Sequence, residues 1–288
     1  MEGQIYQLLS GFYLIHAANN QQYTAKARGK FRKNKVKPMV GDFVDFSVDE
    51  NDEGYILDIQ SRKNYLIRPS VSNVDQAVVV TAVVEPDLSL NLLDRQLVTL
   101  TAKNIKPIIY FSKLDLVNEQ ETYDKLMTLA QNYQTIGYTV VLNDSEQLRK
   151  EFKNCLTVFM GQTGAGKSTL LNKLDPALQI TTNQISNTLN RGKHTTRKVS
   201  LYSIEDGLIA DTPGFSSYDD FNVASKELYK CFPEFKQLSQ NCKYRECQHI
   251  NEPHCAVKEA LEQQEIMDSR YKNYLQFYQQ IKQSEHQY

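Results

Sequence analysis

The chain has 288 residues, 41% of them apolar and 23% charged, with a formal net charge of −1. At about 100–200 residues per domain, that length predicts two or three domains, and the composition fits folded rather than disordered chain. The charge balance excludes a uniformly basic nucleic-acid coat but permits local basic patches.

The start, Met1-Glu2-Gly3-Gln4, has neither the basic nor the apolar region of a secretory leader. Short strand-like runs follow: Gly11–Ile15 is β-prone, residues 42–48 alternate polar and apolar, and residues 54–59 follow a turn. Lys26, Arg28, Lys30, Arg32, Lys33, Lys35 and Lys37 form a basic run with no acid among them, interleaved near Tyr23 and Phe31. From Asp42 to Asp58 the sign reverses, with acids and no Lys or Arg. Several short strands without a helical pattern predict a small barrel over residues 1–68. A basic face on such a barrel suits a phosphate backbone, although a solvated charged face is the default for a run of this kind.

Beyond residue 70, strands alternate with helices, the pattern of a parallel sheet. Strands are expected at 77–84, 107–111, 138–142, 156–160, 199–204 and 208–210, and helices at 92–102 and 119–133. The apolar run 77–84 is far short of the ~20 residues needed to span a bilayer. Past Phe221 the chain turns helical, and its last segment places Tyr271, Tyr274, Leu275, Tyr278 and Ile281 on one face. This divides the chain into 1–68, 69–220 and 221–288.

The strongest motif is Gly161-Gln162-Thr163-Gly164-Ala165-Gly166-Lys167-Ser168, between an expected strand and a helix opened by Thr169. It fits G-x-x-x-x-G-K-[ST], in which glycines let backbone N–H groups converge on phosphate and the helix N-terminus adds favourable dipole charge. Lys167 would then reach the β- and γ-phosphates and Ser168 would ligate Mg²⁺. Downstream, Asp211-Thr212-Pro213-Gly214 follows an apolar strand. Alone it is a good β-turn; after a phosphate loop it reads as a γ-phosphate sensor, with Asp211 toward Mg²⁺ and the Gly214 N–H toward phosphate. Between them lies a polar stretch, 181–197, containing Arg191-Gly192-Lys193-His194-Thr195-Thr196. Its length suits a switch loop in which Thr195 or Thr196 closes on Mg²⁺ and γ-phosphate.

Ser112-Lys113-Leu114-Asp115 stands at the end of an expected strand. A carboxylate there accepts from guanine N1–H and the 2-amino group, while the lysine stem lies over the base. The short motif by itself reads as a solvated loop. Order raises it: the base reader precedes the phosphate loop, whereas ordinary GTPases place it last. Joined termini make such a permutation physically tolerable.

Cys242-x4-Cys247-x-His249-x5-Cys255 supplies three thiols and an imidazole in a chain with only five cysteines. That set suits a closed tetrahedral structural zinc in a reducing compartment. On spacing alone His254 competes with His249. Cys155 and Cys231 are expected to be small buried hydrophobes.

In permuted motif order, Arg191–Thr196 element, Asp211–Phe215 segment, barrel and cysteine cluster, the chain resembles the bacterial small ribosomal subunit biogenesis GTPases of the RsgA (YjeQ/YloQ) family. The resemblance implies an N-terminal OB-fold, a central circularly permuted P-loop GTPase with a mostly parallel sheet, and a C-terminal helical zinc domain in which His249 is the ligand. It also implies binding of GTP and GDP and contact with the 30S subunit and its rRNA; the composition and sparse cysteines point to a cytoplasmic protein, expected as a monomer. Hydrolysis would be stimulated by that subunit during late maturation. Phe215 stands where many GTPases carry a water-positioning Gln, so His194 is the expected orienter of the attacking water. Ser112 departs from the family's Asn, which should weaken nucleotide binding while leaving guanine choice to Asp115. The second guanine-contact element near residues 142–145 is left unassigned. Readings from other classes are an RNA-binding scaffold that uses nucleotide only as a conformational ligand, and a P-loop small-molecule kinase.

Overall fold

The computed structural model describes residues 1–9, 11–29, 31, 36–50, 53–67, 69–176, 199–211, 221 and 223–285. His194, Thr195, Thr196, Gly214, Lys30, Arg32, Lys33 and Lys35 lie outside the described residues.

In chain order the strands are β1 (Glu2–Leu9), β2 (Phe12–Ala17), β3 (Gln22–Ala27), β4 (Phe43–Val48), β5 (Gly54–Ile59), β6 (Tyr65–Leu66), β7 (Val71–Ser72), β8 (Gln76–Ala82), β9 (Lys106–Ser112), β10 (Thr139–Leu142), β11 (Leu156–Met160), β12 (Ser200–Ile204) and β13 (Gly207–Asp211). The helices are α1 (Leu90–Ala102), α2 (Gln120–Ile136), α3 (Ser145–Arg149), α4 (Lys167–Leu174), α5 (Pro233–Leu238), α6 (Ala256–Glu262) and α7 (Asp268–Glu285), with 3-10 turns at Leu114–Leu116 and Ser225–Cys231. The chain forms two compact units: Met1–Val78 with Asp144–Ser216, and Val79–Asn143 with Ser217–Tyr288.

In the first unit, β1 to β5 close a barrel in the order β1-β2-β3-β5-β4, with β4 returning to β1. Only the β3–β5 pair is parallel. This is the OB-fold arrangement. Alternation explains it: Tyr13 and Ile15 of β2, and Val44 and Phe46 of β4, point inward to meet Ile5 and Ile56. Asp42 breaks the acidic face by turning inside, where Arg62 donates through Nε and Nη2 at 2.7 Å each and Ser72 Oγ donates at 2.6 Å. Outside the barrel, the strand order continues β1-β12-β13-β11. Gln7 pairs with Ser200 across β1 and β12, and Ser200 pairs in turn with Asp211 across β12 and β13. Strand β1 is missing from the sequence-derived strands because only Ile5 in it is fully buried, so it carries no apolar period.

In the second unit, β9 and β10 are adjacent and parallel. Ser89 caps α1 by accepting from the Leu92 N–H, and Gly137, at φ +109°, ends α2. The C-terminal helices share an aromatic core with α1, formed around Val98, Phe232, Phe235, Tyr274, Phe277 and Ile281. Into that core the sequence puts an unexpected charge, Arg270 of α7, which is fully buried. Its guanidinium donates to Asp94 and twice to Glu234, at 2.7–2.9 Å. Asp94 also accepts from Tyr133 and Asn273.

Candidate nucleotide site and metal cluster

The phosphate loop leaves β11 at Gly161 and enters α4 at Lys167. Gly161, Gly164 and Gly166 have φ of +142°, +82° and +90°, the left-handed region that a side chain would strain. Lys167 Nζ donates to the carbonyl oxygens of Gly161 and Gln162 at 2.6 and 2.8 Å, and burial pulls its pKa down to about 8. Ser168 is buried in the first turn of α4, and Thr169 is exposed beside it. Strands β11 and β13 run parallel with Val158 opposite Ala210. Asp211, ending β13, therefore leaves the sheet at the carboxyl edge from which the phosphate loop departs, the edge where α/β sheets bind ligands.

The base-reading element sits at the end of β9. The Ser112 carbonyl accepts from the Val83 N–H at 3.2 Å, and its hydroxyl lies 3.4 Å from the Thr81 carbonyl oxygen. Lys113 has φ +63°, and its ammonium donates to the Glu85 carbonyl oxygen. Leu114 and Asp115 form the one-turn 3-10 helix, with Asp115 exposed. Its Oδ1 accepts from Asn143 Nδ2 at 3.1 Å. Asn143 lies directly after β10, within the stretch 142–145 that the sequence left unassigned as the second guanine-contact element.

Cys242, Cys247, His249 and Cys255 converge with all four ligand atoms within 4.8 Å of one another. His249 Nδ1 is 3.6 Å from Cys242 Sγ and 3.4 Å from Cys255 Sγ, and those sulfurs are 4.0 Å apart. A tetrahedral ion with bonds of about 2.3 Å to sulfur and about 2.0–2.1 Å to nitrogen sets donors roughly 3.5–3.8 Å apart, so the donor set fits such an ion. Burial pushes the Cys247 thiol up to about 12, raises Cys255, and lowers His249 to about 4. Burial thus favours the neutral forms of Cys247, Cys255 and His249, and a bound dication would displace the thiol protons. His249 has φ +58°, held because the Glu252 carboxylate accepts from the N–H groups of Gln248, Ile250 and Asn251 at 2.8–3.1 Å. Tyr271 and Tyr274 donate to the carbonyls of His249 and Gln248. His254 is exposed and outside the cluster. Cys231 is buried as expected, whereas Cys155 is half-buried.

Of the basic run, the described Arg28 and Lys37 are exposed. Lys26 sits 5.2 Å over the Phe12 ring and pairs with Glu53 at 3.5 Å. Phe31 is in the core at 6% exposure, so its ring packs protein and is not presented for stacking on bases. Among the described residues no helix is long and apolar enough to cross a membrane.

A phosphate loop and an acid-ended neighbouring strand, preceded in the chain by a base reader and an OB-type barrel, define a P-loop nucleotide-binding protein of permuted order. Residues 59–221 match the family described as RsgA GTPase, and residues 2–56 match the RsgA N-terminal domain. A relative from Pediococcus pentosaceus, named small ribosomal subunit biogenesis GTPase RsgA, is 54% identical over 99% of this chain and 94% of its own length. One from Lactiplantibacillus plantarum, named small ribosomal subunit biogenesis GTPase RsgA 1, is 53% identical over 97% and 96%. Among solved structures, YloQ, described as a circularly permuted GTPase, has TM-score 0.84 at 40% identity, covering 98% of this chain and 95% of its own. YjeQ from Thermotoga maritima has TM-score 0.83 at 30% identity, covering 97% and 98%. The chain belongs to the RsgA family of GTPases.

Proposed function

We propose that this GTPase binds the small ribosomal subunit, assists its late maturation, and hydrolyses GTP faster when the subunit is present. The observation that carries the reading is similarity along almost the whole chain to proteins named for small-subunit biogenesis. The working parts are taken as barrel 1–68, GTPase 69–220 and helical lobe 221–288.

In this reading, the backbone from Gly161 to Thr169 cradles the phosphates. Lys167 leaves its two loop carbonyls to pair with phosphate oxygens. Ser168 and Asp211 hold Mg²⁺, which when bound neutralises charge on the phosphates. Asp115 reads guanine and the Lys113 stem covers it. His194 orients the attacking water, Thr195 or Thr196 closes the switch, and the Gly214 N–H meets the γ-phosphate. Cys242, Cys247, His249 and Cys255 hold one zinc ion, whose role is to tie the lobe together. Lys26, Arg28, Lys30, Arg32, Lys33, Lys35 and Lys37 supply the barrel's rRNA-facing charge. In this reading the protein works in the cytoplasm as a monomer. Multiple-turnover phosphate release, measured with purified small subunits, large subunits and neither, tests the reading. Stimulation by small subunits alone is the expected result, and equal rates in all three would refute it.

A further inference from the structure

We propose that Arg149 is a positioning residue for the Mg²⁺–nucleotide site: it ties the far end of the phosphate-loop helix α4 to the turn of the β12–β13 hairpin, and so keeps Ser168 in step with Asp211. The inference rests on Ser168 and Asp211 as the residues that hold Mg²⁺, and extends that reading to a side chain outside both motifs.

Arg149 ends α3, in the connection that joins the base-reading elements to β11. That connection belongs with the phosphate loop, since the chain re-enters the first compact unit at Asp144. From there the guanidinium reaches two elements at once. Its Nη2 donates to the Lys173 carbonyl at 3.2 Å and to the Leu174 carbonyl, the last two of α4. Carbonyls at a helix end have no partner within the helix, and a cation there also complements the dipole. Its Nη1 donates to Glu205 Oε1 at 3.2 Å, while Nε stays within α3 on Glu146 Oε1 at 3.1 Å. Glu205 stands at φ +48° in the turn between β12 and β13.

The same connection holds that turn through its backbone. The Asn154 N–H donates to the Asp206 carbonyl at 3.0 Å, and the Leu208 N–H donates to the Cys155 carbonyl at 2.9 Å. Gly207 comes so near that a Cβ there would stand 2.0 Å from the Phe152 carbonyl oxygen. The hairpin is thus fixed to the connection, and Arg149 brings α4 into the same frame. Ser168 lies in the first turn of α4 and Asp211 ends β13, so a tilt of the helix changes the span between them. Mg²⁺ tolerates little such change, because it demands near-octahedral oxygens at about 2.0–2.1 Å.

The test is the gain in affinity for a non-hydrolysable GTP analogue when Mg²⁺ is added, measured on the full chain in buffer without chelator. Arg149→Met keeps an apolar stem and removes the guanidinium. It is expected to cut the magnesium gain about fivefold, the worth of roughly one hydrogen bond, while the magnesium-free affinity stays within about twofold. Glu205→Gly removes only the hairpin side of the tie and accepts positive φ; it should cut the same gain about twofold, because the pair is partly exposed. Equal weakening with and without magnesium, or a lowered melting temperature with an unchanged gain, would overturn the inference, since a merely structural brace does not sense the metal. Should Arg149→Met fail to fold, Glu205→Gly decides alone, and an unchanged gain overturns the inference. If Ser168→Ala abolishes the gain while Arg149→Met keeps it, the inference alone fails. A wild type whose affinity ignores magnesium overturns the reading of Ser168 and Asp211 together with this inference.

Discussion

Arg270 and Asp94 meet at 2.7 Å with neither side chain exposed to solvent, joining the last helix, α7, to α1. Glu234 adds a second carboxylate from α5, so that one guanidinium faces two acids. Removing the guanidinium strands two carboxylates, one fully buried and one nearly so, and breaking a buried pair from one side costs about 3–5 kcal/mol. Arg270→Ala should lower the thermal midpoint by several degrees. A variant melting with the wild type would show that this network contributes nothing to stability.

The lowered pKa of Lys167 gives nucleotide binding a pH dependence. Burial stabilises the neutral amine, and a bound diphosphate favours the charged form again. Binding therefore takes up a proton once the pH exceeds about 8. GDP affinity should be flat below pH 7 and fall, by up to about tenfold per pH unit, above 8. Lys167→Met should bind more weakly and lose the slope. The free protein moves oppositely: between about 8 and 10.5 the unfolded chain holds more protons at this lysine, so folding stability rises with pH. Titration calorimetry with GDP from pH 7 to 9 measures the first effect, and a constant affinity would exclude it.

Metal removal should unfold the C-terminal knuckle. Without an ion, the loop from Cys242 to Cys255 is tied chiefly by Glu252 and by the Tyr271 and Tyr274 hydroxyls. Chelation or Cys255→Ser should reduce helical circular dichroism and expose the lobe to protease. Glu252→Ala should weaken zinc binding by about tenfold, since the carboxylate orients the backbone around His249. Unchanged protease resistance after complete chelation would count against a structural metal.

His194→Ala should bind GTP normally yet lose subunit-stimulated turnover, because positioning water matters in hydrolysis and not in ground-state binding. Single-turnover rates with and without small subunits decide it. Full stimulation in the variant would remove the assignment.

The α/β alternation was legible because buried strands such as β8 and β11 are apolar almost throughout, and residues 156–160 form a strand with the bounds expected. The phosphate loop and cysteine cluster were legible because their chemistry requires fixed residue types at short spacing. Other features depend on partners distant in sequence. Ile5 alone fills the core side of β1, whose remaining stability comes from ladders to β2, β4 and β12. Arg270 reads as a solvated helix residue until Asp94 and Glu234 are folded around it. Phe31, amid lysines and arginines, looks available to bases, but the barrel needs its ring inside. The stretch 142–145 stays unassigned in the sequence, because Asn143 meets Asp115 only once β10 lies beside β9.

Ser200 has a neighbour on each side: Gln7 on the first strand of the barrel and Asp211 at the tip of β13. A pull on the peptide at Asp211 thus has a mechanical path of two rungs to the OB fold, with no flexible tether in between. A load on the barrel travels back along the same rungs to the residue that ends β13.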